Sequence, residues 1–111
     1  MKHVEEPFKI ASQIFAPGPG VTAPRSERQN ILADAEAAIC GPRERDYGHP
    51  ADNFERIAAG WAAIFGAPVS AAQVALAMDW VKSARLIATP NHRDSWVDKA
   101  GYSALGGEVS K

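Results

Sequence analysis

Pro50-Ala-Asp-Asn-Phe-Glu-Arg-Ile-Ala-Ala-Gly-Trp-Ala-Ala-Ile-Phe65 decides the fold. Counting from Phe54, apolar residues recur 3, 4, 7 and 11 positions on, at Ile57, Ala58, Trp61 and Phe65. That spacing puts all five on one side of an α-helix and the polar residues on the other. Pro50 suits the first turn, where its missing N–H costs nothing. Gly66-Ala-Pro68 ends the segment.

The segments on either side follow the same logic. Downstream, Ser70-Ala-Ala-Gln73 has the capping-box form, in which hydroxyl and amide side chain satisfy each other's free N–H groups. It opens a helix running to about Ala88, broken by Thr89-Pro90-Asn91. A last helix starts at Asp94 or Ser95, carries Val97, Ala100, Ala104 and Leu105, and stops at Gly106-Gly107. Upstream, Ser26-Glu-Arg-Gln29 is a second capping box. Ile31, Leu32, Ala35, Ala38 and Ile39 then line one helical face until Gly41-Pro42. Residues 43–50 read as a polar connection. The prediction is an all-α fold: a compact antiparallel helical bundle of about four helices over residues 26–111. Residues 1–25, with Pro7, Pro17, Gly18, Pro19, Gly20 and Pro24, read as an extended or disordered N-terminal arm.

Bulk composition narrows the function classes. The 111 residues make one domain, with 12 basic and 13 acidic side chains and a formal net charge of -1. No excess of positive charge argues for duplex nucleic acid. No apolar run approaches the roughly 20 residues of a membrane span, and Met1–Glu6 has no signal-peptide core. The expected location is the cytoplasm. Cys40, the single cysteine, closes an apolar stripe and reads as a buried small hydrophobe. The helices are alanine-rich and each buries little area, so a homo-oligomer is expected.

Polar side chains gather in three places. The connection holds Arg45, Tyr47 and His49, suited to a phosphate, a ring and a hydrogen bond, with Gly48 supplying a positive φ. Asp52 and Glu55 lie one turn apart beside Asn53, a spacing at which two carboxylates can share a magnesium ion. Asp79, Lys82 and Arg85 form a stripe on the third helix, where Lys82 and Arg85 can clamp phosphate. Asp94, Asp98 and Tyr102 recur every four residues on the last helix, preceded by His92 and flanked by Trp96. Asp94 and Asp98 repel at that spacing. Their partner is a metal ion, a lysine or arginine across the bundle, or solvent.

Asp46-Tyr-Gly-His-Pro-Ala-Asp-Asn-Phe54, Lys82-Ser-Ala-Arg85-Leu86 and His92-Arg-Asp-Ser-Trp-Val-Asp-Lys-Ala-Gly-Tyr102 together resemble a family of small phage and prophage proteins. The resemblance covers about residues 43–107. More remotely, the ending is similar to phage nucleotide-modification-associated domains and MazG-like all-α nucleotide pyrophosphohydrolases. Those enzymes are usually oligomeric bundles whose acidic residues hold magnesium on a nucleoside triphosphate. The resemblance implies that Asp52/Glu55 and Asp94/Asp98 stand in for the two acidic pairs. Here D-x-x-E and D-x-x-x-D occur where that family has E-x-x-E and E-x-x-D.

Three functions follow. In a magnesium-dependent pyrophosphohydrolase of a bacterial host's phage or prophage, Asp52, Glu55, Asp94 and Asp98 would hold the metal. Asp98, Asp94 and Glu55 would carry the hydrolysis. Arg45, Tyr47, His49, Asn53, Lys82, Arg85, His92, Trp96 and Tyr102 would bind the nucleotide. A non-catalytic nucleotide binder, a sponge or regulator, would use the same basic and aromatic groups and pair its carboxylates with lysine or arginine. A structural helical interaction module would use the polar stripes as interhelical salt bridges.

Overall fold

Both capping boxes form. Gln29 N donates to Ser26 Oγ at 3.2 Å and Ser26 N to Gln29 Oε1 at 2.7 Å. The corresponding distances at Ser70 and Gln73 are 3.1 and 2.9 Å. They open two of the helices in the computed structural model, which describes residues 23–110. In chain order these are α1 (Glu27–Ile39), α2 (Pro42–Tyr47), α3 (Pro50–Phe65), α4 (Ala71–Ala88) and α5 (Arg93–Val109). No strand occurs among the described residues, so the architecture is all-α. The expected N-terminal arm lies outside the described residues up to position 22. Residues 23–25 precede α1 without regular structure. Ser70→Ala removes the acceptor for one free N–H at the start of α4 and should cost about 1 kcal/mol. Urea denaturation at fixed protein concentration reads this directly.

Three boundaries differ from the sequence reading. Part of the polar connection is the six-residue helix α2, which starts at Pro42 directly after Gly41 turns the chain at φ 67°. The N-cap of α5 is His92, not Asp94 or Ser95, which fall inside the first turn. A negative side chain such as Asp94 is favoured there by the helix dipole without capping anything. Gly106 and Gly107 do not stop α5, which continues to Val109. Glycine ends a helix by taking a positive φ. Gly41, Gly48 and Gly66 do so among the described residues, and Gly106 and Gly107 do not.

The core forms where α3, α4 and the C-terminal half of α5 meet. Phe54, Ala58, Ala71, Val74, Ala75 and Leu105 are buried there, with Ile57, Trp61, Met78 and Tyr102 half-buried around them. The stripe that began at Phe54 is covered as far as Trp61, whereas Phe65 remains 71% exposed. Helix α5 packs on α1 and α4, and α3 packs chiefly on α4. Two glycines permit close approach: a Cβ at Gly101 would stand 3.0 Å from Ile39 Cγ2, and one at Gly106 3.0 Å from Ala75 Cβ. Cys40 is exposed rather than buried, standing as the C-cap just past the last residue of α1.

Candidate functional site

The turn Thr89–His92 reverses the chain, with Thr89 N donating to Arg85 O at 2.9 Å and His92 N to Thr89 O at 3.1 Å. Helices α4 and α5 therefore run antiparallel, and their polar partners step down one as they step up the other. Arg85 Nη2 meets His92 Nε2 at 3.2 Å. Lys82 Nζ meets Asp98 Oδ2 at 3.0 Å. Lys99 Nζ donates to both oxygens of Asp79 at 3.0 Å and to Ser83 Oγ at 2.6 Å. The Arg85 guanidinium can only donate, so His92 Nε2 accepts and the ring proton sits on Nδ1. Nδ1 then donates to Ser95 Oγ at 2.8 Å, which satisfies the buried Ser95.

Helix α5 is also tied to α1. Arg93 pairs with Asp34 at 2.7 Å and Glu27 at 3.1 Å. The hydrogen bond to Asp34 first, then that to Glu27, raises the Arg93 pKa above its ordinary value. Trp96 lies over the turn with its indole N–H donating to Pro90 O at 2.9 Å. Tyr102 is half-buried and lines clefts on both sides of α5.

The second expected segment lies elsewhere. Gly48 does take a positive φ of 78°. His49 Nδ1 accepts from Ala51 N at 3.1 Å, so this histidine is occupied as the cap of α3. Arg45, Asp52 and Glu55 are exposed, and Asn53 is half-buried. The Tyr47 side chain lies outside the described part of the structure. Pro50 shares a cleft with Ala104, Leu105 and Glu108, near the C-terminal end of α5. His92, Asp94 and Trp96 are at the other end. Asp94 and Leu105 are separated by roughly 16 Å of helix.

The structure therefore gathers Lys82, Arg85, His92 and Asp98 along one seam and leaves Arg45, His49, Asp52, Asn53 and Glu55 at the α2–α3 corner. The four carboxylates expected to share magnesium do not converge. Among the described residues, no three His, Cys, Asp or Glu side chains are placed to hold a metal ion. The physical reason is the helix itself: α3 begins beside the far end of α5, and Asp98 faces Lys82.

Residues 30–110 match the family described as "Domain of unknown function (DUF6378)". The chain belongs to the DUF6378 family. It is 40% identical over 75 residues to the Gene 55 protein of Mycobacterium phage D29, covering 68% of this chain and 50% of that protein. Against the Gene 55 protein of Mycobacterium phage L5 it is 40% identical over 77 residues, covering 68% and 49%. The chain thus spans about half the length of these phage relatives. No solved structure matches. The DUF6378 match takes in α5 and its whole seam with α4, and all but the first three residues of α1.

In this DUF6378 chain the sequence reading missed Lys99, Ser83 and Arg93. A four-residue turn between two long helices forces antiparallel pairing, and that signal places Lys99 opposite Asp79. The reading also missed the outward side of α4, where Leu76, Trp80 and Ile87 are 69%, 66% and 76% exposed.

Proposed function

We propose that this chain is a non-catalytic helical interaction module. Its polar motif residues fasten α4 to α5, and its outer apolar face makes the binding contact. The observation that carries this reading is the 3.0 Å pair between Lys82 Nζ and Asp98 Oδ2. A metal ion, a basic residue and solvent were the candidate partners for Asp98, and the first would have favoured hydrolysis. With Lys82 as partner, Asp98 is a strut between helices. Its neighbour pair Asp79–Lys99 has the same form with the charges exchanged between helices.

The pair is partly open to water, with side-chain exposures of 28% and 40%. Its worth is accordingly about 0.5–1 kcal/mol. Asp98→Asn should lower stability by that amount in a thermal melt. A panel of ribo- and deoxyribonucleoside triphosphates with magnesium should yield no pyrophosphate. Pyrophosphate release that Asp98→Asn abolishes at an unchanged melting temperature would overturn the reading in favour of a magnesium-dependent pyrophosphohydrolase. Nucleotide binding that survives EDTA would replace it with a nucleotide sponge or regulator.

A further inference from the structure

We infer that the outer face of the α4–α5 pair is the contact surface for a second copy of this chain in a two-fold dimer. The inference rests on the interaction-module reading and names its partner. Leu76, Trp80 and Ile87 recur at intervals of 4 and 7, so they form one stripe over three turns of α4. On α5 the neighbouring outward positions include Trp96, Ser103 and Gly107, all exposed. None of these six residues is charged, although 23% of the chain is. Depletion of charge with exposed tryptophan marks the centre of an interface rather than a solvated surface.

Three observations favour a second copy over a foreign partner. First, the face carries both halves of a complementary fit. Trp80 projects from it, and next to Leu76 lies a cleft of about 340 Å³ floored by the small residues Ala72, Ala75, Gly106 and Gly107. In a two-fold contact whatever one copy inserts the other receives, so a surface with a knob and a cleft completes itself. Second, Asp79, which also lines the cleft, is already paired with Lys99 across the seam, so two such faces meet with little like-charge repulsion. Third, the chain's own core is thin. Among the described residues, four of the nine buried apolar residues are alanines (Ala35, Ala58, Ala71 and Ala75). Small domains of this kind gain stability by association. The two helices are each about 25 Å long and span roughly 20 Å side by side, a flat area on the order of 500 Å². Side-chain relief brings the accessible area toward the roughly 800 Å² per partner of a standard interface.

Light scattering on the full 111-residue chain during size-exclusion chromatography tests this. The expected mass is twice the 11.9 kDa of one chain, falling to a single chain in Trp80→Lys and unchanged in Phe65→Lys, an exposed apolar site on α3. A single-chain mass for the unmodified protein overturns the inference and leaves the face to residues 1–22 or to a foreign helix. A mass above twice the chain overturns the closed two-fold contact. A Trp80→Lys dimer overturns the choice of face. If Trp80→Lys does not fold, Trp80→Phe is measured instead, with a dimer dissociation constant raised at least tenfold. An unchanged constant counts against the inference. A monomer in which Asp98→Asn loses only stability sinks the dimer but not the interaction-module reading, so the two fail separately.

Discussion

Phe54→Ala should destabilise the protein by about 3–5 kcal/mol, the range for truncating a well-packed aromatic to alanine. Phe54 is 2% exposed and stands where α3, α4 and α5 meet, among Ala58, Ala71, Val74, Ala75 and Leu105. Three of those five neighbours are alanines, which have no rotamers with which to reach into the space left behind. The cavity therefore persists, and the cost belongs at the upper end of the range. A domain of this size has a total stability of about 5–15 kcal/mol. The variant should melt at least 12 °C lower, at about 4–8 °C per kcal/mol. Circular dichroism melts and urea titrations at one fixed protein concentration measure it, because association would make both depend on concentration. A loss under 1 kcal/mol would show that Phe54 is not the centre of the core.

The same phenylalanine shows how far the sequence alone reaches. Its 3, 4, 7, 11 pattern identified α3 and the buried side of that helix, because periodicity depends only on local geometry. Both capping boxes and the helix stop at Gly66 were legible for the same reason. What was not legible was tertiary. Trp61 and Phe65 continue the stripe, yet Trp61 is half-buried and Phe65 is 71% exposed, a difference that periodicity does not carry. Gly106-Gly107 has the composition of a helix stop, but Gly106 is spent on close approach to Ala75. At the candidate site, Lys82 and Arg85, expected to clamp phosphate, stand on Asp98 and His92, and a basic partner for Asp98 was one of the named options. The convergence of Asp52 and Glu55 with Asp94 and Asp98 was not realised. Residues far apart in sequence meet only if helix lengths and turns allow, and α5 is too long for its two ends to serve one site.

The seam also constrains which substitutions are informative. Lys99 bonds Asp79 and Ser83 at once, and Arg93 ties α5 to α1, so truncating either leaves partners behind. Asp98 pairs with Lys82, and asparagine keeps its shape. That makes Asp98→Asn a measurement of charge rather than of packing. Trp80 and Leu76 lie outside the seam, so their replacement reports association with little effect on the contacts that hold α4 to α5.

Gly106→Val should cost about 2 kcal/mol, although replacing a helical glycine normally stabilises. Removing glycine from a helix interior gains up to about 1 kcal/mol for alanine, and a few tenths for β-branched valine. Against that, a Cβ at position 106 would stand 3.0 Å from Ala75 Cβ. Carbon atoms in contact prefer about 3.5–4.0 Å. Ala75 Cβ is fixed to the α4 backbone and cannot rotate away, so the helices must part, and overpacking of this kind costs about 1–3 kcal/mol. Valine adds two further methyl groups and puts the net effect well on the unfavourable side. Gly60 supplies the contrast: it lies in α3 with nothing within 4 Å of a built Cβ, so Gly60→Ala should gain about 0.5–1 kcal/mol. Urea midpoints at a constant denaturant slope measure both, since an altered slope would mean a changed unfolded state rather than a changed contact. Equal stabilisation at the two sites would mean that α4 and α5 do not approach closely at Gly106, and the antiparallel register that pairs Lys82 with Asp98 would have to be redrawn.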